Sequence, residues 1–167
     1  MRATTFEIRR LGTADVHLME ALLTTFGDAF EDRETYGAAP PGRGYLARLM
    51  GRDSFIALAA LKEGEVVGGA VSYELRKFEQ ERSEIYLYDL AVGAAHRRQG
   101  IATSLIASLV EIAEERGAYT VFVQADLGDE PAIALYTKLG RRESVLHFDI
   151  PVRVRASAGR RGGPADA

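Results

Sequence analysis

Tyr86 to Ala113, YLYDLAVGAAHRRQGIATSLIASLVEIA, is the stretch from which the fold can be read. It begins inside the run Glu84 to Val92, whose nearly continuous apolar character predicts a central strand. A short basic loop with Arg97, Arg98 and Gly100 follows. Ile101, Leu105, Ile106, Leu109, Ile112 and Ala113 then recur on one face of a helix that Gly117 stops. Such a helix start leaves backbone N–H groups unpaired at the positive end of the helix dipole. With two arginines beside it, the loop Arg97 to Thr103 is predicted to hold phosphate groups. The motifs GxxxxGK[ST] and GxGxxG are both absent, so this is neither a Walker A loop nor a dinucleotide fingerprint.

Working outward, Phe6 to Leu11 alternates as a short strand, and Thr13 is placed to cap a helix carrying Val16, Leu18, Met19, Leu22, Leu23 and Phe26. Gly37 to Gly44 reads as a loop and Tyr45 to Met50 as a second helix. Phe55 to Lys62 and Glu65 to Leu75 form a hairpin through Glu63-Gly64, and Gly68-Gly69 predicts a bulge or a close backbone approach. Arg76 to Ser83 is a polar loop. Thr120 to Asp126 is a buried strand, Asp129 and Pro131 open a helix that ends at Gly140, and Glu143 to Ile150 is the closing strand. The expected architecture is α/β, a mixed sheet of six to seven strands with helices on both faces.

At 167 residues the chain is one domain, expected over residues 1–150, followed by an Arg/Gly/Ala-rich tail over 151–167 expected to be disordered. There is no cysteine, which removes disulfides, zinc–thiolate sites and thiol nucleophiles. Without an apolar leader in MRATTFEIRR or a run of membrane-spanning length, a cytoplasmic location away from membranes is expected. Net charge is −3, and the tail is basic, so the domain ahead of it is more acidic still. Acidity disfavours nucleic acid and suits a cationic small molecule. His17, His96 and His147 have no ligand spacing, so no metal is expected.

Asp89 interrupts the apolar central strand. Simple alternation places it on the face of Ile85 and Leu87, opposite Tyr86 and Tyr88. A buried carboxylate needs a partner or a task, so Asp89 is a candidate catalytic residue.

Arg97-x-x-Gly100-x-Ala102 after Leu90-Ala91-Val92, with the later ALYTKLG (Ala134 to Gly140), resembles the signatures of the GCN5-related N-acetyltransferases. FIALAA, KFEQ, RSEIYLYDLAV, HRRQGIAT, VQAD and HFDI extend the resemblance to the gentamicin-type aminoglycoside 3-N-acetyltransferases. The resemblance implies acetyl transfer from acetyl-CoA to the 3-amine of a 2-deoxystreptamine ring by direct attack in a ternary complex, and thereby antibiotic resistance. It implies pyrophosphate binding at Arg97, Arg98, Gln99, Gly100, Ile101, Ala102 and Thr103, and pantetheine pairing with the backbone of Leu90, Ala91 and Val92. It also implies an acid role for Tyr136 toward the leaving thiolate, and family members are often homodimers. Asp126, Asp129, Glu130 and Asp149 are the expected substrate-binding carboxylates, with Glu79, Glu81 and Glu84 bordering the loop before the central strand. Two other readings stay open. One is the same chemistry on a polyamine, a protein N-terminus or a lysine; the other is a non-catalytic acyl-CoA-binding module.

Overall fold

The computed structural model describes residues 5–153. Five strands form one mixed sheet in the order β1 (Glu7–Arg10), β2 (Phe55–Lys62), β3 (Glu65–Arg76), β4 (Ser83–Val92), β5 (Ala118–Val123). The first four pair antiparallel, and β5 lies parallel to β4 after the crossover helix. The helices are α1 (Val16–Ala29), α2 (Arg33–Gly37), α3 (Arg43–Met50), α4 (Ile101–Glu115) and α5 (Glu130–Leu139).

The sheet separates two apolar cores. On one face Leu22, Phe26, Leu46 and Met50 from α1 and α3 pack on Phe55, Ala57, Ala59 and Val71. On the other, Ile101, Leu105 and Leu109 of α4 pack on Ile56, Leu58, Ile85 and Leu87. Alternation along β2 feeds both, which is why that strand is buried almost throughout. Gly69 lets α1 come close: a Cβ there would stand 2.5 Å from both Leu22 Cδ1 and Leu58 O. The hairpin turn uses left-handed residues at Glu63 (φ 53°) and Gly64 (φ 85°), as a two-residue turn requires.

Three expectations need correction. The first turn of α1 is entered from Asp15, not Thr13, and the Asp15 carboxylate instead accepts from the Gly12 N–H at 2.8 Å. The short helix α2, between the two expected helices, lacks apolar periodicity; it is held by the Asp32 side chain, which accepts from the Thr35 N–H at 3.0 Å. The sheet has five strands among the described residues, because Glu143 to Ile150 joins no ladder and stands exposed. The reason lies at the end of α5. Gly117 after α4 turns left-handed (φ 68°) and sends the chain directly into β5, whereas Gly140 is extended (φ −148°, ψ −173°) and lets the chain run outward. Of the expected tail, residues 154–167 lie outside the described residues. No helix among the described residues is long and apolar enough to cross a membrane.

Candidate active site

Strands β4 and β5 stay paired only as far as Leu87 and Val123. Beyond that point β4 continues to Val92 while the chain leaves β5 for the loop before α5, so the strands part. Leu90, Ala91 and Val92 remain paired to Ala70, Gly69 and Gly68 of β3, and their other edge faces the gap without a β5 partner. Backbone donors and acceptors on such an edge are available to an extended ligand.

The gap opens onto the start of α4. The first bond within the helix runs from the Ser104 N–H to the Gly100 carbonyl at 3.0 Å, and no side chain caps this end. The N–H groups of the first turn, Ile101 to Thr103, therefore point outward at the positive end of a 15-residue helix. Arg98 (φ 63°) and Gly100 (φ 83°) are both left-handed, and a Cβ on Gly100 would meet only open space. The loop is braced from within: Arg97 Nε donates to the Val92 carbonyl at 3.2 Å and Gln99 Nε2 to the Ala95 carbonyl at 3.4 Å. Arg97, Arg98, Ala102 and Thr103 line a cleft of about 340 Å³, closed on its far side by Pro131, Leu135 and Lys138. Free N–H groups, two guanidiniums and a glycine without obstruction fit a diphosphate. The Gln99 side chain is turned to its own loop.

Asp89 lies on the opposite face from the one alternation gives. The β3–β4 register steps from Ser72↔Leu87 to Val71↔Asp89, so Tyr88 is an inserted bulge residue. One extra residue inverts every side chain after it. Asp89 consequently shares the α1 face with Val71 and Tyr73, leaving Ile85 and Leu87 on the α4 face. There the Tyr36 hydroxyl of α2 donates to Asp89 Oδ2 at 3.0 Å. Burial pushes the Asp89 carboxyl up from its ordinary value, and the Tyr36 hydrogen bond works against that rise. Tyr36 is itself raised, by burial first and then by the Asp89 charge, so it remains a donor. Its ring is wedged between Phe26 and Phe30 of α1, at centroid distances of 5.9 and 5.6 Å.

An aromatic row leads across the same face to Asp89. Tyr73 meets Tyr88 edge-on at 5.7 Å, Tyr88 meets Tyr86 at 5.4 Å, and Tyr86 stacks on Phe122 at 4.7 Å. The Tyr86 hydroxyl donates to Gln124 Oε1 at 2.7 Å, at the edge of the gap. Tyr88 is 58% exposed, so the row forms an open floor.

The remaining expected residues are dispersed. Burial, with the nearby Asp129 charge, pushes the Tyr136 hydroxyl up to about 12, so it is protonated at neutral pH. Asp129 caps α5 by accepting from the Ala132 N–H at 3.1 Å, and Glu130 sits exposed in that helix's first turn. Asp126 is exposed in the preceding loop. Asp149 pairs with His147 at 3.0 Å on the outward-running segment and stands exposed there. Glu79 and Glu84 are engaged by Lys77 at 3.7 and 3.4 Å, which ties the β3–β4 turn together. Sequence reading missed Tyr36 and the aromatic row. The row had a signal in the closely spaced tyrosines of β4; Tyr36 had none, since its contact spans 53 positions.

Relatives bear on this arrangement. Over 89% of this chain and 99% of the other, the fold superposes with a TM-score of 0.88 and 61% identity on an aminoglycoside acetyltransferase, HMB0005, from an uncultured soil metagenomic sample. A second soil enzyme, the aminoglycoside acetyltransferase meta-AAC0020 in complex with sisomicin, is 32% identical over 89% of this chain and 97% of its own, with a TM-score of 0.83. Among curated proteins, the [ribosomal protein bS18]-alanine N-acetyltransferase of Escherichia coli is 33% identical over 63 residues. N-acetyltransferase 8B of Rattus norvegicus is 27% identical over 84 residues. The matched stretches span 43% and 38% of those two proteins. The model of the acetyltransferase (GNAT) family matches residues 17–140, from α1 through the gap to the end of α5, and the chain belongs to that family.

Proposed function

We propose that this chain acetylates an amine of an aminoglycoside, the 3-amino group of the 2-deoxystreptamine ring in gentamicin-type drugs, using acetyl-CoA and thereby conferring resistance. The observation that carries the reading is the meeting of three features: a split between β4 and β5, an unpaired helix start beside two arginines, and a half-buried carboxylate at the end of an open aromatic floor. The 61% identity to an aminoglycoside acetyltransferase along nearly its whole length supports the substrate class, as does the sisomicin complex of the second relative.

Acetyl-CoA supplies an activated thioester. The N–H groups of Ile101 to Thr103, with Arg97 and Arg98, hold the diphosphate, and the free edge of Leu90 to Val92 aligns the acyl arm. An N–H on that edge polarises the carbonyl oxygen and stabilises the charge that develops on it. An amine at neutral pH arrives as an ammonium. Asp89 attracts it, and the raised affinity of this carboxylate for protons suits it to take the ammonium proton directly or through water. As the new C–N bond forms and the C–S bond breaks, Tyr136 gives its hydroxyl proton to the departing sulfur, and the second proton shed by the nitrogen as the amide forms passes through solvent to restore the Tyr136 hydroxyl. Aminoglycoside rings lie on the Tyr86–Tyr88 floor, with their other ammonium groups toward Asp126, Asp129 and Glu130.

The deciding experiment mixes purified protein, acetyl-CoA and gentamicin or sisomicin, follows thiol release, and locates the acetyl group by NMR. Acetylation at the 3-amine is expected. A different position discards the regiochemistry, turnover only on spermidine or peptides replaces the substrate class, and acetyl-CoA binding without turnover on any amine defeats the enzyme reading.

A further inference from the structure

The gap between β4 and β5 has a closed end as well as an open one, and side chains fasten the closed end. The open end is Val92, which lines the diphosphate cleft at the start of α4. From there the free edge of β4 runs back to Leu87, the last residue paired to β5, a distance of about 17 Å at strand spacing.

Three barriers meet at that vertex. Between the strands, Leu87 and Val123 form the final pair of the parallel ladder. Toward α4 the space is core: Leu87 is 2% exposed, and Val123 packs against the same cluster. Toward α1, the Tyr86 hydroxyl donates to Gln124 Oε1 at 2.7 Å, so one side chain from each arm of the split spans it. Gln124 is the first residue beyond β5. The Tyr86 ring is held in place, stacked on Phe122 at 4.7 Å with the planes 7° apart and flanked by Tyr88 at 5.4 Å. Burial pushes the Tyr86 hydroxyl up from its ordinary value, so it stays a donor at neutral pH. Gln124 is exposed, and the bond to Tyr86 is what fixes its side chain.

We infer that Gln124, pinned by the Tyr86 hydroxyl, is the stop that restricts the transferred acyl group to a short chain. An acyl group aligned on the free edge of Leu90 to Val92 points along the gap toward the vertex. Each methylene added to it is driven against packed core on one side and the Tyr86–Gln124 bridge on the other. Forcing extra methylenes into filled space costs about tenfold in affinity. With the Gln124 side chain cut back, the same methylenes lie along the Tyr86 and Phe122 rings, apolar surface that favours them. The inference rests on the acetyl-CoA reading and not on which amine receives the group.

Calorimetric titration with acetyl-CoA and butyryl-CoA, in the absence of any amine, reads the stop separately from turnover. Wild type is expected to bind butyryl-CoA about tenfold more weakly than acetyl-CoA. Gln124→Ala, a truncation at an exposed position that leaves the fold intact, is expected to bring the two within about twofold by tightening butyryl-CoA alone. Tyr86→Phe keeps the stack on Phe122 but releases Gln124, and its ratio is expected to fall between, at about threefold. In thiol release with an amine present, kcat/KM for butyryl-CoA relative to acetyl-CoA is expected to rise in the same order. A wild type that binds both thioesters equally, or a Gln124→Ala protein with the wild-type ratio, would overturn the stop. A Tyr86→Phe protein with the wild-type ratio would overturn the pinning. A wild type that binds no acyl-CoA at all would overturn the acetyl-CoA reading together with the stop, whereas tight acetyl-CoA binding with an unmoved ratio defeats the stop alone.

Discussion

Tyr36→Phe removes one oxygen and leaves the ring in place, so it isolates the bond that faces Asp89. The hydroxyl donates to Asp89 Oδ2 at 3.0 Å, and the ring is held independently by Phe26 and Phe30. A hydrogen bond to a charged group contributes about 1.5–3 kcal/mol. Asp89 is only half-buried and solvent replaces part of the lost donor, so about 1 kcal/mol is the reasonable figure here. That bond favours the ionised carboxylate; without it burial, already the stronger influence, raises the Asp89 pKa further. The acid limb of kcat/KM for the aminoglycoside therefore moves to higher pH. Well below the limb the variant is expected to be about fivefold slower than wild type, converging toward it well above the limb. The assay is thiol release across pH at saturating acetyl-CoA, with KM for acetyl-CoA as the internal control, since Tyr36 does not line the diphosphate cleft. A uniform loss at every pH, or an acid limb shifted downward, would refute the reasoning.

Asp89→Asn is expected to abolish most turnover yet stabilise the fold. Because burial raises the folded pKa, the ionised group costs stability once pH exceeds that pKa, and the cost vanishes below the unfolded value; calorimetry should show a higher Tm than wild type at about pH 7.5, with the gain fading as pH falls through the carboxylate range. Gly100→Ala forces a side chain into a left-handed residue at the start of α4, at a cost of about 1–2 kcal/mol, and covers part of the diphosphate cradle; KM for acetyl-CoA is expected to rise about tenfold with little change in KM for the amine. Arg116→Met leaves the Glu74 carboxylate, 8% exposed, without its cation and removes the bond to the Asp53 carbonyl; urea titration should show a loss of about 3 kcal/mol, with activity intact in dilute denaturant-free buffer.

Local pattern alone carried much of this protein. Periodicity marked α1, α4 and β2 to β5, Gly117 and Asp129 set helix ends, and the basic loop before α4 was legible because anion binding at a helix start depends on contiguous residues. Three matters were decided in space. Tyr88 is inserted opposite no residue of β3, so Asp89 changes faces, and a bulge of one residue leaves no trace in a hydrophobic pattern. Tyr36 reaches Asp89 only because α1 and the Asp32 cap fold α2 over the sheet. Glu143 to Ile150 reads as a strand by its alternation, but it joins no ladder, because pairing depends on where Gly140 points the chain and not on the pattern itself. Sequence determines what a segment can form; register, bulges and chain direction at element ends determine what it meets.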